Sequence, residues 1–136
     1  MKTNLVLTTA PVQLSERYGN FSSAANTEPS FGLACLASTA QRAGANVSII
    51  ESSSQNLTLE QAFTKIVNKN PDIVGISATT AGIVAAGKLA QKIKQYNVKI
   101  YCIIGGCHVT ALPKSTLEEF PDFDLAVVGE GEQTLE

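Results

Sequence analysis

No stretch of this chain stays apolar for the ~20 residues that a membrane-spanning helix needs. The start, Met1-Lys2-Thr3-Asn4-Leu5-Val6-Leu7, places a basic residue before apolar ones, but the run is too short for a secretory signal and reads as a first strand. Basic clusters are missing as well. Ten Lys and Arg face twelve Asp and Glu, for a net charge of −2, and the lysines from Lys65 to Lys114 are spread out. Nucleic-acid binding normally uses a clustered basic face, so none is expected. Cysteine is scarce: there are three, an odd number without the spacing of a disulfide framework or of a Cys-x-x-Cys metal site. Cys35 falls in a helical apolar pattern and Cys102 in a strand, and both read as small core residues. These absences together point to a cytoplasmic protein.

What the chain has is a regular alternation of apolar strands and amphipathic helices. At 136 residues it is long enough for one domain with a real core. Strands are expected at 4–9, 46–50, 72–77, 98–104 and 124–128. Helices are expected at 30–43, 58–69, 81–95 and from Leu112 to Phe120. Gly44 is a stop signal for the first helix, Thr58 an N-cap for the second, and Pro113 suits a first helical turn. Residues 131–136 read as the start of a further helix. Continuous apolar strands separated by helices imply parallel pairing with both faces covered. The expected fold is therefore an α/β, flavodoxin-like (Rossmann-like) three-layer sandwich on a five-stranded parallel sheet. Order 2-1-3-4-5 is preferred to 3-2-1-4-5, although periodicity does not separate them.

Small and hydroxyl residues collect where three strands leave the sheet. They are Ser77-Ala78-Thr79-Thr80 after strand three, Gly105-Gly106-Cys107-His108 after strand four, and Gly129-Glu130-Gly131-Glu132 after strand five. Ligands of open parallel sheets bind at the carboxyl ends of strands, near the point where strand order reverses. In the preferred order that point lies between strands one and three, which brings in Thr9 and Ala10. Small residues there let a ligand approach backbone closely. Each residue also has a plainer reading. The glycines serve tight turns, Ser77 and Thr79 cap local backbone, Cys107 is a partly buried loop thiol, and Glu130 and Glu132 place favourable charge at a helix N-terminus. The segment from Ala10 to Pro29 is long for a connection within a compact domain. It reads as a flap beside the site, a contact to another domain, or disorder.

Five pieces in order resemble the N-terminal cobalamin (vitamin B12)-binding domain of radical S-adenosylmethionine enzymes. They are Pro29-Ser30-Phe31-Gly32-Leu33-Ala34-Cys35-Leu36-Ala37, Arg42-Ala43-Gly44-Ala45-Asn46-Val47, Pro71-Asp72-Ile73-Val74-Gly75-Ile76-Ser77, Gly105-Gly106-Cys107-His108-Val109-Thr110, and Phe123-Asp124-Leu125-Ala126-Val127-Val128-Gly129-Glu130-Gly131-Glu132. Members of that family include methyltransferases and the anaerobic magnesium-protoporphyrin monomethyl ester cyclase. The resemblance implies a corrin disc lying over the strand ends and a nucleotide tail in a slot kept open by Gly75, Ser77, Ala78, Gly105 and Gly106. Ser77 and Thr79 would donate hydrogen bonds to tail or corrin amides, Thr80 and Thr110 would do so at the rim, and backbone N–H groups after Gly129-Glu130-Gly131 would meet polar tail groups. Gly106→Val and Ser77→Leu are expected to block the slot and leave the fold intact.

Two motifs are absent and shape the expectation. Cobalamin domains that ligate cobalt through histidine carry Asp-x-His-x-x-Gly after strand one, whereas strand one here leads to Ala10-Pro11-Val12-Gln13-Leu14. The single histidine, His108, stands after strand four, and the resemblance implies cobalt bound without a protein histidine and with the tail displaced from the metal. The Cys-x3-Cys-x2-Cys motif that holds a radical S-adenosylmethionine iron–sulfur cluster is also absent. The chain therefore resembles a domain truncated before a C-terminal radical S-adenosylmethionine domain, its expected partner, which would hold the iron–sulfur cluster and S-adenosylmethionine. Alone it is expected to bind and not to catalyse. Alternatives are a flavodoxin-like module for flavin or nucleotide, or a cofactor-free interaction domain. A dinucleotide would want Gly-x-Gly-x-x-Gly after strand one. A flavin would want a phosphate-cradling loop there, and Thr8-Thr9-Ala10-Pro11 is a poor one because Pro11 lacks an N–H.

Overall fold

The computed structural model describes residues 2–12 and 31–129. β1 is Asn4–Thr9, α1 Phe31–Arg42, β2 Asn46–Ile50, α2 Leu59–Val67 and β3 Ile73–Ser77. A 3-10 turn over Thr80–Gly82 leads into α3, Ile83–Tyr96. Then come β4 (Tyr101–Gly105), α4 (Cys107–Ala111), α5 (Pro113–Glu119) and β5 (Leu125–Ala126). The five strands pair in parallel in the order β2-β1-β3-β4-β5. That is the preferred order, and it sets the reversal point between β1 and β3.

Local signals act where the sequence places them. Gly44, at φ +99°, ends α1. Its N–H donates to the Gln41 carbonyl and the Ala45 N–H to the Ala40 carbonyl, each at 3.0 Å, so two otherwise orphaned carbonyls are satisfied. Thr58 caps α2 with a reciprocal pair: the Gln61 N–H donates to Thr58 Oγ1 (3.1 Å) and the Thr58 N–H to Gln61 Oε1 (2.9 Å). This is a capping box.

The sheet divides the core in two. On one face Val6, Val74, Ile76, Cys102 and Ile104 pack against α2 and α3 through Ala62, Ile66, Ala86, Leu89 and Ile93. On the other, Leu5 and Leu7 pack against Leu33, Ala37 and Ala40 of α1. Among the described residues α1 is the only helix on that second face, and it lies over β1 and β2. Farther along the same face Tyr101 and Leu125 are exposed. β3 is the central strand, yet its residues on this face, Gly75 and Ser77, are only half-buried while Val74 and Ile76 are buried.

Three boundaries differ from expectation. β4 begins at Tyr101, because Lys94 Nζ draws the preceding segment into a turn by donating to the carbonyls of Val98 (3.4 Å) and Ile100 (2.7 Å). β5 is confined to Leu125–Ala126, and just before it the Asp124 carboxylate accepts the Cys102 N–H at 2.8 Å. The helix expected from Leu112 is preceded by a separate one, α4, and the two join at Leu112 with φ −136° and ψ 59°. Cys102 is buried as expected, but Cys35 is only half-buried.

Gly87, in the middle of α3, gives a test of packing against propensity. Glycine inside a helix costs roughly 0.5–1 kcal/mol relative to alanine, so Gly87→Ala would ordinarily stabilise. Here an added Cβ would sit 2.3 Å from Phe120 Cδ1, and Phe120 is itself in edge contact with Phe123. The ring must shift, and overpacking of this kind costs about 1–3 kcal/mol. Gly87→Ala is therefore expected to lower the urea midpoint; a raised midpoint would show that Phe120 moves freely.

Candidate functional site

Two grooves meet where the strands end. The upper one lies over the gap between β1 and β3. Thr9, Ala10, Val12 and Ser53 line one side, and Ser77, Ala78, Thr79, Ala81 and Gly82 the other. The lower one descends along the sheet face that α1 only partly covers. Leu5, Leu7, Leu33 and Leu36 form one wall and Ile103, Val127 and Gly129 the opposite one, with Gly75, Ser77, Gly105 and Gly106 between them. Ser77 belongs to both, so the grooves share an edge. From the row of Ser77 down to the row of Leu5 the lining spans about 13 Å, at ~3.3 Å per strand residue.

The lower groove exists because side chains are missing from two neighbouring strands. Register sets Leu7 beside Gly75 and Gly75 beside Ile103, and one step higher Thr9 beside Ser77 and Ser77 beside Gly105. Strand alternation points all of these to the same face. A Cβ at Gly105 would meet nothing within 4 Å, whereas one at Gly75 would reach 2.8 Å from Leu7 Cδ2. Gly105 therefore fronts open space and Gly75 lets Leu7 lie flat across β3.

Gly106 does something different. Its φ is +110°, and a Cβ would fall 2.4 Å from the Ala78 carbonyl oxygen and 3.0 Å from the Ala78 nitrogen. This corrects the expectation that Gly106→Val would leave the fold intact. The position is a backbone crossing between the exits of β3 and β4, and a side chain there would push the two apart.

The hydroxyls divide by partner. Thr9 Oγ1 accepts from the Ser53 N–H at 2.9 Å, which ties the β1 exit to the loop after β2. Thr79 precedes the 3-10 turn and its side chain makes no capping bond, contrary to the plainer reading of it as a cap. Thr80 Oγ1 lies 3.2 Å from His108 Nδ1. Thr110 Oγ1 donates to the Gly106 carbonyl and accepts from the Gly129 N–H, both at 3.1 Å. It thereby fastens together two glycine turns that line the lower groove. Among the described residues no charged side chain lines either groove.

The structure thus brings together Thr9, Ala10, Ser77, Ala78, Thr79, Gly105, Gly106 and Gly129. Thr80, His108 and Thr110 stand behind that lining, and Cys107 is exposed at the start of α4. Glu130 and Gly131 lie outside the described residues, as does most of the segment from Ala10 to Pro29. Sequence reasoning missed the aliphatic walls. The helical spacing of Leu33 and Leu36 marks an apolar face and does not tell a residue packed on a sheet from one that also borders a groove beside it. Ile103 and Val127 were legible as strand residues on the same face as Gly105, by alternation alone.

A parallel sheet of this order, with neutral grooves at its reversal point, defines a flavodoxin-like ligand-binding domain. The chain belongs to the B12-binding domain family, which matches residues 19–136. It is 42% identical over 110 residues to an uncharacterized methyltransferase of Pyrococcus horikoshii, a match covering 80% of this chain and 24% of that protein. It is 36% identical over 90 residues to the anaerobic magnesium-protoporphyrin IX monomethyl ester cyclase of Rubrivivax gelatinosus, covering 66% of this chain and 16% of the cyclase. To the cyclase of the same name from Cereibacter sphaeroides it is 29% identical over 112 residues, covering 82% and 18%. The chain spans a quarter or less of these relatives. No helix among the described residues is long and apolar enough to cross a membrane.

The residues present fit the group that the family name implies. Cobalamin combines a broad corrin disc, rimmed with amides, and a narrower nucleotide tail. The upper groove offers small residues and the Ser77 and Thr79 hydroxyls. The lower one is a cleft that a single Cβ at Gly105 would begin to fill.

The cysteines supply a check on how firmly the sheet is closed. Burial pushes the Cys102 thiol up to about 12; the Lys94 ammonium opposes this, and Asp124 and Asp122 reinforce it. The thiolate is the reactive form. At pH 8, iodoacetamide is expected to modify exposed Cys107 in the native protein and to reach Cys102 only in denaturant, as read by peptide mass spectrometry. Equal labelling rates would mean that β4 opens readily.

Proposed function

We propose that this domain holds cobalamin across the C-terminal strand ends as the B12 module of a radical S-adenosylmethionine enzyme. The nucleotide tail descends into the lower groove and the corrin lies over the upper one. The observation that carries the reading is the open space in front of Gly105, beside Ser77, where the lower groove joins a polar strand-end groove. Bound cobalamin supplies a cobalt centre that carries a methyl group or takes part in radical chemistry.

The chain's own residues bind and orient. Ser77 and Thr79 donate to corrin amides or to the tail where the grooves meet. Leu33 and Leu36 of α1 exclude water from one side of the tail, and Ile103 and Val127 from the other. Gly106 and Gly129, held by Thr110, keep the far wall in place. His108 does not ligate cobalt; its Nδ1 is within hydrogen-bond distance of Thr80 Oγ1. Catalysis belongs to a further domain bearing the iron–sulfur cluster and S-adenosylmethionine. The sizes of the relatives support such a domain, since this chain covers 24% and 16% of two of them. A flavin reading has less support: Pro11 offers no N–H and Thr9 Oγ1 is already engaged by Ser53.

Titration of the chain with hydroxocobalamin, followed by visible absorbance and equilibrium dialysis, is expected to give saturable binding with a spectrum in which the tail base is off the metal. Absence of saturable binding overturns the reading. Gly105→Val directs a side chain into open groove and is expected to weaken binding by tenfold or more, about 1.4 kcal/mol, with an unchanged urea midpoint. If the variant binds as tightly as the parent, the tail does not lie there. His108→Ala is expected to leave the visible spectrum of the bound cofactor unchanged, and a shift in its bands would restore His108 as a cobalt ligand.

A further inference from the structure

We infer that the lower groove discriminates among corrinoids by the base on their tail, accepting a benzimidazole and rejecting a purine. The inference rests on the cobalamin reading above and goes beyond it by assigning a specificity to particular residues. The side chains that wall the groove, among them Leu7, Leu33, Leu36, Ile103 and Val127, are aliphatic, and Gly75 and Gly105 add none. Ser77 is the sole polar side chain in the described lining, and it stands at the mouth, where it also borders the upper groove.

Backbone beside the aliphatic walls is largely committed to the sheet. Gly75 lies in the ladder between β1 and β4, and Ile103 in the ladder between β3 and β5. The Val127 N–H donates to the Ile104 carbonyl at 2.9 Å. A base seated here therefore meets hydrocarbon on both sides.

Benzimidazole and purine tails share an imidazole ring, and Ser77 is placed to serve its free nitrogen. They differ in the fused ring. A dimethylbenzimidazole presents only C–H and methyl groups there, which an aliphatic groove takes at no polar cost. Adenine presents two ring nitrogens and an exocyclic amine. Buried against leucine, isoleucine and valine they lose their water partners and gain none, and unpaired groups of that kind are strongly disfavoured. Apolar pockets reject a ligand with one added polar group by roughly a hundredfold at most.

The test compares three ligands on the same chain by equilibrium dialysis: cobalamin, an adenine-tailed cobamide, and cobinamide, which has no tail. Cobalamin is expected to bind at least about tenfold tighter than the adenine-tailed form. If both tailed forms bind equally and each more tightly than cobinamide, the inference falls and the tail placement stands. If cobinamide binds as tightly as cobalamin, the inference falls together with that placement. Val127→Thr adds a hydroxyl to the wall at constant shape. It is expected to narrow the ratio between the two tailed ligands by about threefold and to leave cobinamide binding unchanged. An unchanged ratio overturns the assignment of selectivity to this wall.

Discussion

The close passage of Gly106 over Ala78 governs the strand-end region. The Ala78 N–H donates to the Gly105 carbonyl at 3.0 Å, so the ladder between β3 and β4 continues one step past the last residue of β3. The chain then turns at Gly106 with φ +110°, in a space where a side chain would overlap the Ala78 backbone. Two consequences follow. The exits of β3 and β4 stay together, which closes the top of the sheet between the grooves. The chain also enters α4 directly, with no intervening loop to fall across the site. Thr110, one turn into α4, binds the Gly106 carbonyl and the Gly129 N–H, and so carries the constraint across to the β5 exit.

The two glycines of the pair Gly105-Gly106 therefore have unrelated jobs. The first leaves room for something else, and the second leaves room for the protein's own backbone. Nothing in a sequence of adjacent glycines separates those roles, because the distinction lies in what stands opposite each missing Cβ. The same limit applies to Leu33 and Leu36, whose spacing marks an apolar helix face but does not say how much of the sheet that face covers. By contrast, features that depend on neighbours in the chain were legible. Thr58 with Gln61, Gly44 after α1, and the uninterrupted apolar strands each specify their structure locally, and the structure follows them. Strand order was legible as a preference only, since both orders bury the same runs.

Two of the misplaced boundaries share a feature. The 98–100 segment and Asp124 were read as strand by hydropathy, yet both are reorganised by side chains arriving from elsewhere. Lys94 Nζ meets Asp124 Oδ2 at 2.6 Å, and the same oxygen accepts the Cys102 N–H at 2.8 Å. One ammonium and one carboxylate thus bind backbone groups at the lower ends of β4 and β5, beside the Asp124 N–H bond to the Cys102 carbonyl at 2.8 Å. A second cluster acts on β1 and β3. The Asn4 N–H donates to Asp72 Oδ2 at 2.8 Å, the Asp72 N–H to the Asn4 carbonyl at 2.8 Å, and Asn46 Nδ2 to Asn4 Oδ1 at 3.0 Å. Charge-assisted hydrogen bonds are among the stronger polar contacts a fold can use.

Those clusters lie at the amino-terminal ends of the strands, and both grooves open at the carboxyl-terminal ends. The separation has a physical rationale. A carboxylate or ammonium beside the lower groove would have to shed its water whenever that groove filled, at a cost well above that of displacing water from a leucine. With the charged fasteners kept at the opposite edge, the ligand edge holds its shape by backbone hydrogen bonds, hydroxyls and close packing at Gly106. Register among β1, β3 and β4 is then fixed from below by charge and from above by backbone contact. The space in front of Gly105, between those anchors, stays open.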